Sequence, residues 1–224
     1  MRPTKAHFLR VMAEKASSEE ERELENYDEY EKMLFLLARH QKNLKEIQST
    51  ELKAEYKRSI LQEFMPWIEG VLKAGNGKQD NVLMTWLVWA IDCAEYHLAL
   101  QIAEYALHQQ LVLPEQFTRT LGTLLAEEFA DAAKIARTAN KPFELAYLTR
   151  VEELVRDEDM PDQSRARLMR EIGTLQVESN KEQALVALER ALELDLNVGV
   201  KGLVEKLRKE LDKQANQDTN QDTN

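Results

Sequence analysis

Residues 27–72, YDEYEKMLFLLARHQKNLKEIQSTELKAEYKRSILQEFMPWIEGVL, constrain the fold more than any other stretch, because they are long, apolar at helical spacing and free of glycine until the last turn. Met33, Leu37, Leu44 and Ile47 recur at steps of three and four, with His40 filling the rung between, while Lys42, Lys45 and Glu46 fall on the other side. That spacing predicts an amphipathic helix. Ser49 and Thr50 can cap a helix start, since a side-chain oxygen accepts a free backbone N–H, and the pattern resumes at Leu52, Tyr56, Ile60, Phe64 and Ile68. A second helix, or one long interrupted helix, is expected there.

Charge is unevenly placed along this stretch. Between residues 39 and 58 the cations Arg39, Lys42, Lys45, Lys53, Lys57 and Arg58 face only Glu46, Glu51 and Glu55, in a chain of formal net charge -10. A positive island in an acidic protein is where a polyanion would touch it, because phosphate binding releases condensed counterions. A solvated helix face with ion pairs one turn apart accounts for the same charges. Residues 1–16 repeat the pattern, with Arg2, Lys5, Arg10 and Lys15 against Glu14 alone. They read either as a nucleic-acid-contacting arm or as an ordinary disordered terminus. Behind them, Ser18 and Glu21 have the spacing of a capping box.

The remainder is also helical in pattern. Seven glycines and five prolines in 224 residues are few and fall mostly where helices end, so the chain is expected to be all-α. The hydrophobic fraction of 43% suffices for a buried core without staples. The single cysteine, Cys93, lies inside the apolar run VLMTWLVWAIDCA and is expected to pack as a small hydrophobe. No apolar run is long enough to span a bilayer, and the start MRPTKAHFLRVMAEK lacks a signal-peptide core, so a cytoplasmic chain with no membrane partner is expected.

The loop AGNGKQD at 74–80 fails as a phosphate loop, because Leu72 stands where the first glycine belongs and Gln79 follows Lys78 where a hydroxyl must hold magnesium. Gly75 is instead expected to end one helix in a left-handed cap and Asp80 to start the next. From Asp80 to Pro114 the pattern predicts a tight helical hairpin, apolar almost all round in its first half, with Trp86 and Trp89 in the core and small Ala99, Ala103 and Ala106 on one face of its second helix. A further helix is expected over 117–138, with apolar positions at Leu121, Leu124, Leu125, Phe129, Ala133 and Ile135, and Pro142 is expected to open another reaching Arg156. The run Asp157, Glu158, Asp159 reads as a solvated loop in preference to a metal cluster.

Within residues 162–213 the segment ALVALERALELDL at 184–196 aligns with ALQIAEYALHQQL at 99–111, sharing Ala99/Ala184, Leu100/Leu185, Glu104/Glu189, Ala106/Ala191, Leu107/Leu192 and Leu111/Leu196. Both resemble the second helix of a tetratricopeptide unit, although their separation is too long for adjacent units of about 34 residues. Two separate hairpins are expected, not a regular solenoid. The tail QANQDTNQDTN duplicates QDTN and is expected to be disordered. The organisation expected is thus a basic N-terminal arm and linker at 1–26, a long helical hairpin or coiled-coil-like element at 27–74, a central helical domain at 80–156, a tetratricopeptide-like helical hairpin at 162–213 and a disordered tail at 214–224.

Catalytic signatures do not emerge. Glu51-Leu52-Lys53 fits an E-x-K nuclease pattern, but residues two apart on a helix point apart. His7, His40, His97 and His108 have no neighbouring ligand at zinc spacing, and neither a metal nor any other cofactor is expected. There is no GxSxG, HExxH or Rossmann glycine set. The residues by themselves point to an interaction module.

The strings YEKML, QKNLKEIQSTELKAEYKR, MPWIEGVL, GKQDNVLMT and ALQIAEYAL resemble the small terminase subunit of temperate tailed phages with contractile tails, a family that starts DNA packaging at cohesive-end sites. Further matches are HFLRVMA near the N-terminus, DMPD at 159–162, and ALxxLxRAxxLD followed by GVK. The resemblance runs through residues 5–212 and is densest over 30–114. It implies recognition of phage double-stranded DNA in the host cytoplasm, a ring-like homo-oligomer, and delivery of DNA to a large terminase subunit that carries the ATPase and nuclease chemistry. Family members bear the label "terminase endonuclease subunit". Some relatives end in a Lys/Arg-rich tail where this chain has QDTN repeats, which shifts expected DNA contact to the N-terminal arm and the 39–58 island.

Three readings follow. In the first, Arg2, Lys5, Arg10, Arg39, Lys42, Lys45, Lys53, Lys57 and Arg58 contact phosphates, while Met33, Leu37, Leu44, Ile47, Leu52 and Tyr56 pack subunits together and catalysis is left to the large subunit. In the second, Glu51, Glu127, Glu128 and Asp131 serve a metal-dependent endonuclease. In the third, the chain is a helical-repeat scaffold that binds only protein.

Overall fold

The computed structural model describes the backbone of residues 28–221 and the side chains of residues 28–214. The arm residues Arg2, Lys5 and Arg10 and the capping box at Ser18 and Glu21 lie outside the described residues. Every regular element among the described residues is an α-helix, as the glycine and proline pattern requires. The helices fall into two compact units, one ending at Pro114 and the other beginning at Glu115.

In the first unit, α1 spans Glu29–Glu46 and α2 spans Thr50–Ala74. Asp28 caps α1 in a reciprocal box with Glu31, and Ser49 caps α2 by accepting from the Leu52 N–H. Gly75 closes α2 at φ 59°, a left-handed conformation that costs glycine nothing. Asp80 then caps α3, Asn81–Asp92, and α4 follows at Tyr96–His108. Ala94 takes φ 62° between them, so the Glu95 N–H reaches back to the Ala90 carbonyl and turns the hairpin within a few residues.

Helix α3 is the core of this unit, with every residue from Val82 to Ile91 buried. Ala99, Ala103 and Ala106 are wholly buried on α4, where their small side chains let the two helices approach. Helices α1 and α2 cross over the aromatic end of α3. Phe64 lies 5.1 Å from Trp86, Trp86 lies edge-on to Trp89 at 5.3 Å, and His40 meets Phe64 at 5.8 Å. Cys93 is buried at the end of the hairpin's first helix, and burial pushes its thiol up.

The second unit holds α5 at Leu121–Thr138, α6 at Leu145–Val155, α7 at Asp162–Gln176, α8 at Lys181–Leu194 and α9 at Lys201–Gln221. Its tightest joint is between α7 and α8. A Cβ at Gly173 would fall 2.6 Å from Leu188 Cγ and 2.9 Å from the Ala184 carbonyl oxygen, so only glycine allows the observed approach. Ala184, Leu188 and Ala191 continue the contact into a buried cluster with Val198, Val204 and Leu207.

Four sequence expectations are corrected in this unit. Helix α5 begins at Leu121 and not at 117, because the Thr120 hydroxyl caps it by accepting from the Thr123 N–H. Ile135 is 69% exposed, since α5 buries the stripe Leu121, Leu125, Phe129 and Ala133 and Ile135 lies off it. Pro142 does not open α6. Asn140 turns to φ 52°, the Lys141 N–H bonds the Ala136 carbonyl, and no regular element forms until extended Glu144 leads into Leu145. Finally, α9 continues to Gln221, through most of the stretch expected to be disordered, with no glycine or proline between 214 and 221 to stop it.

Candidate nucleic-acid interface

The basic island maps onto the outer turns of α1 and the first turns of α2. Arg39, Lys42 and Lys45 project from α1 at steps of three, and all three are exposed. Arg39 stands 3.9 Å from Glu63 at the edge of an ion pair, whereas Lys42 and Lys45 have no ion-pair partner among the described residues. Lys53 on α2 is partly exposed and likewise free of an acidic partner there.

The last two cations of the island are held by the protein itself. Lys57 is only 12% exposed; its ammonium pairs with Asp92 and lies 5.6 Å from the centre of the Trp89 ring. Arg58 donates to the Cys93 carbonyl and reaches Glu95 at 3.8 Å. Both partners come from the α3–α4 corner, 35 residues further along the chain. These two side chains tie α2 to that corner, which leaves Arg39, Lys42, Lys45 and Lys53 as the island's cations with charge turned to solvent.

The apolar residues expected to join subunits divide in the same way. Leu37 and Leu44 are buried inside the unit's own core. Tyr56 is also engaged internally: its hydroxyl accepts from the Asn43 amide at 2.8 Å and lies 2.8 Å from His40 Nδ1. The other ring nitrogen, Nε2, faces Glu63 at 3.4 Å. Burial lowers the His40 pKa, with Glu63 opposing the shift. Met33 and Ile47 are half-buried, and Leu52 is 54% exposed, so it offers the most free apolar surface of the six.

The acids weighed as a cleavage site do not converge. Glu127 on α5 bonds Arg119 and accepts from the Ser164 hydroxyl at 2.7 Å; Glu128 takes the other arm of Arg119 at 2.8 Å. Burial pushes the Glu127 carboxyl up, but Arg119 and Ser164 outweigh it and hold the group below the usual carboxylate range. Asp131 is exposed one turn on, and Glu51 sits in the first turn of α2 in the other unit. Among the described residues, no group of three or more histidines, cysteines or acids is placed to hold a metal ion.

Sequence reasoning missed a buried charge in the second unit. Glu171 on α7 is wholly buried, and its carboxylate accepts from Arg137 on α5 at 3.2 and 3.3 Å and from its neighbour Arg170 at 2.7 Å. Arg170 also reaches the Val198 carbonyl, so one carboxylate fixes α5, α7 and the turn before α9. Glu158, expected in a solvated loop, is exposed as a residue, yet its Cβ and Cγ pack over Gly122 where a Cβ would intrude at 2.7 Å.

Comparison with known proteins adds a family. A model described as phage small terminase subunit matches residues 34–163. A protein of Escherichia phage P2 named "Terminase, endonuclease subunit" is 40% identical over 205 residues, covering 91% of this chain and 83% of the relative. A protein of Haemophilus phage HP1 (strain HP1c1) named "Probable terminase, endonuclease subunit" is 24% identical over 169 residues, covering 69% of this chain and 60% of the relative. No solved structure matches. No helix among the described residues is long and apolar enough to cross a membrane.

Proposed function

This chain belongs to the phage small terminase subunit family, and from that premise we propose that it recognises double-stranded DNA at the phage packaging site and presents it to a large terminase subunit in the host cytoplasm. The observation that carries the DNA-binding part is the pair Lys42 and Lys45, with Arg39 beside them and Lys53 at the start of the next helix. Arg39, Lys42 and Lys45 are exposed and Lys53 is partly exposed in a chain of net charge -10, and Lys42, Lys45 and Lys53 have no acidic partner among the described residues. Such a surface favours phosphate, because each neutralised phosphate releases counterions into bulk solution. Arg2, Lys5 and Arg10, outside the described residues, are proposed as further phosphate contacts. Lys57 and Arg58 act by holding α2 against the α3–α4 corner. Phosphate contacts of this kind position the protein on the duplex, while base contacts would have to supply the sequence discrimination.

Assembly is the second part of the proposal. A ring-like homo-oligomer would use the apolar surface that the monomer leaves open at Leu52, with Met33 and Ile47 contributing their exposed portions. The relatives' printed names carry the word endonuclease. In this chain Glu127 and Glu128 are engaged by Arg119, so we assign the phosphodiester chemistry of the complex to the large subunit. The test is to mix the purified chain with duplex DNA carrying the packaging site, with magnesium and with a chelator. Intact DNA bound by this chain under both conditions, with cutting only when the large subunit and magnesium are both added, is the expected result. Magnesium-dependent cutting by this chain alone, lost on Glu127→Ala, would transfer the chemistry to it.

A further inference from the structure

The first unit carries an open apolar groove of about 460 Å³ on the side of α2. Pro66, Gly70 and Ala74 line it at steps of four, so one face of the helix is stripped of bulk, with Val71 beside them. A Cβ at Gly70 would meet nothing within 4 Å. The ring faces of Tyr30 and Trp67 form the wall, stacked at 5.8 Å and 21°. Their polar ends are fixed at the start of α3: the Trp67 indole donates to Asp80 at 2.9 Å, and the Asn81 N–H donates to the Tyr30 hydroxyl at 3.0 Å. The groove is therefore preorganised and presents mainly apolar surface.

The position of the groove names its occupant. Tyr30, in the groove's wall, lies two residues after Asp28, and 27 residues precede Asp28 in the chain. They contain one concentrated apolar set, Phe8, Leu9 and Met12, which share one face at helical spacing. Between that set and Asp28 the sequence is acidic, with Glu14, Glu19, Glu20, Glu21, Glu23 and Glu25 against Lys15 and Arg22. The groove's rim carries the opposite sign. Lys78 lines the groove and is exposed, and exposed Lys73 precedes the lining residue Ala74 on α2; neither has an ion-pair partner among the described residues, while the lining acid Asp80 is buried and bonded to Trp67. An extended spacer of about 15 residues reaches about 50 Å, far more than a return to Tyr30 requires.

We propose that the chain's own N-terminal segment docks in this groove, seating Phe8, Leu9 and Met12 against Tyr30, Trp67 and the Gly70 face, with the acidic spacer lying across Lys73 and Lys78. Docking fixes the basic arm to the first unit. It stands on the groove and the segment's chemistry and does not depend on what the arm's cations bind.

The test uses the full chain and reads Trp67, since Trp86 and Trp89 are buried. Phe8→Asp and Met12→Asp should raise acrylamide quenching of the indole fluorescence and speed tryptic cleavage after Arg10 and Lys15. Gly70→Leu should speed that cleavage from the groove side, and His7→Asp, off the apolar face, should change neither reading. Wild-type quenching and cleavage in both arm variants would overturn the proposal. Mixing Phe8→Asp chains with Trp67→Phe chains distinguishes the source of the arm. Protection of the Trp67 of the first by the intact arm of the second would show exchange between copies and overturn docking within one chain.

Discussion

The Lys57 ammonium lies 5.6 Å from the centre of the Trp89 ring, over the α3–α4 corner, and pairs with Asp92 there. A cation counted as part of a DNA-facing island is a structural pin. Lys57→Ala should accordingly destabilise the first unit by about 1–2 kcal/mol, the sum of a cation–π contact and a partly buried ion pair. Thermal unfolding measures this. An unchanged melting temperature with weakened DNA binding would return Lys57 to the interface.

Glu171 is the only acid bonded to Arg137 and Arg170 among the described ion pairs, and it is wholly buried. Replacing it by Ala leaves Arg170 largely buried without its carboxylate. Loss of about 3 kcal/mol is expected, at the low end for a broken buried pair because Arg137 can turn to water. Denaturant titration of the full chain should show the loss in the transition of the second unit, with the first unit's transition unmoved.

Gly173→Ala tests the α7–α8 joint. The new methyl would lie 2.9 Å from a backbone carbonyl that cannot rotate away, so the helices must separate. The expected cost is about 1–3 kcal/mol, even though alanine is the better helix former. A more stable variant would mean that the two helices are not packed at this distance.

His40 carries a pH dependence. Burial lowers its folded pKa below the ordinary 6.5, so the unfolded chain binds the proton more readily. Stability should fall as the pH drops through about 6.5 and level off once the folded-state pKa is passed. Comparing melting temperatures between pH 7.5 and pH 5 in wild type and His40→Gln checks this: the variant should lose part of the acid-side decline. An identical decline in both would assign it to other groups.

Local chemistry was legible in the sequence, and long-range pairing was not. Ser49, Gly75 and Asp80 act as the caps their residue types predict, because capping is decided within four residues. Cys93 and the alanines of α4 follow equally well, since apolar patterning reports burial. Lys57 and Arg58 could not be separated from Lys42 and Lys45 by counting charges, because their partners Asp92, Cys93 and Glu95 lie over thirty residues away. The Glu171 node was hidden for the same reason, as Arg137 is 34 residues distant. The groove did leave a signal. Pro66, Gly70 and Ala74 repeat at four-residue spacing on a helix otherwise rich in large side chains.

The most direct test of the central claim is the salt dependence of DNA binding, comparing wild type with a Lys42→Glu, Lys45→Glu double variant. If these side chains neutralise phosphates, the variant should bind duplex DNA of any sequence more weakly, and its slope of log affinity against log salt should be shallower by about two. Affinity and slope equal to wild type, with the fold intact, would show that this face of α1 does not touch DNA.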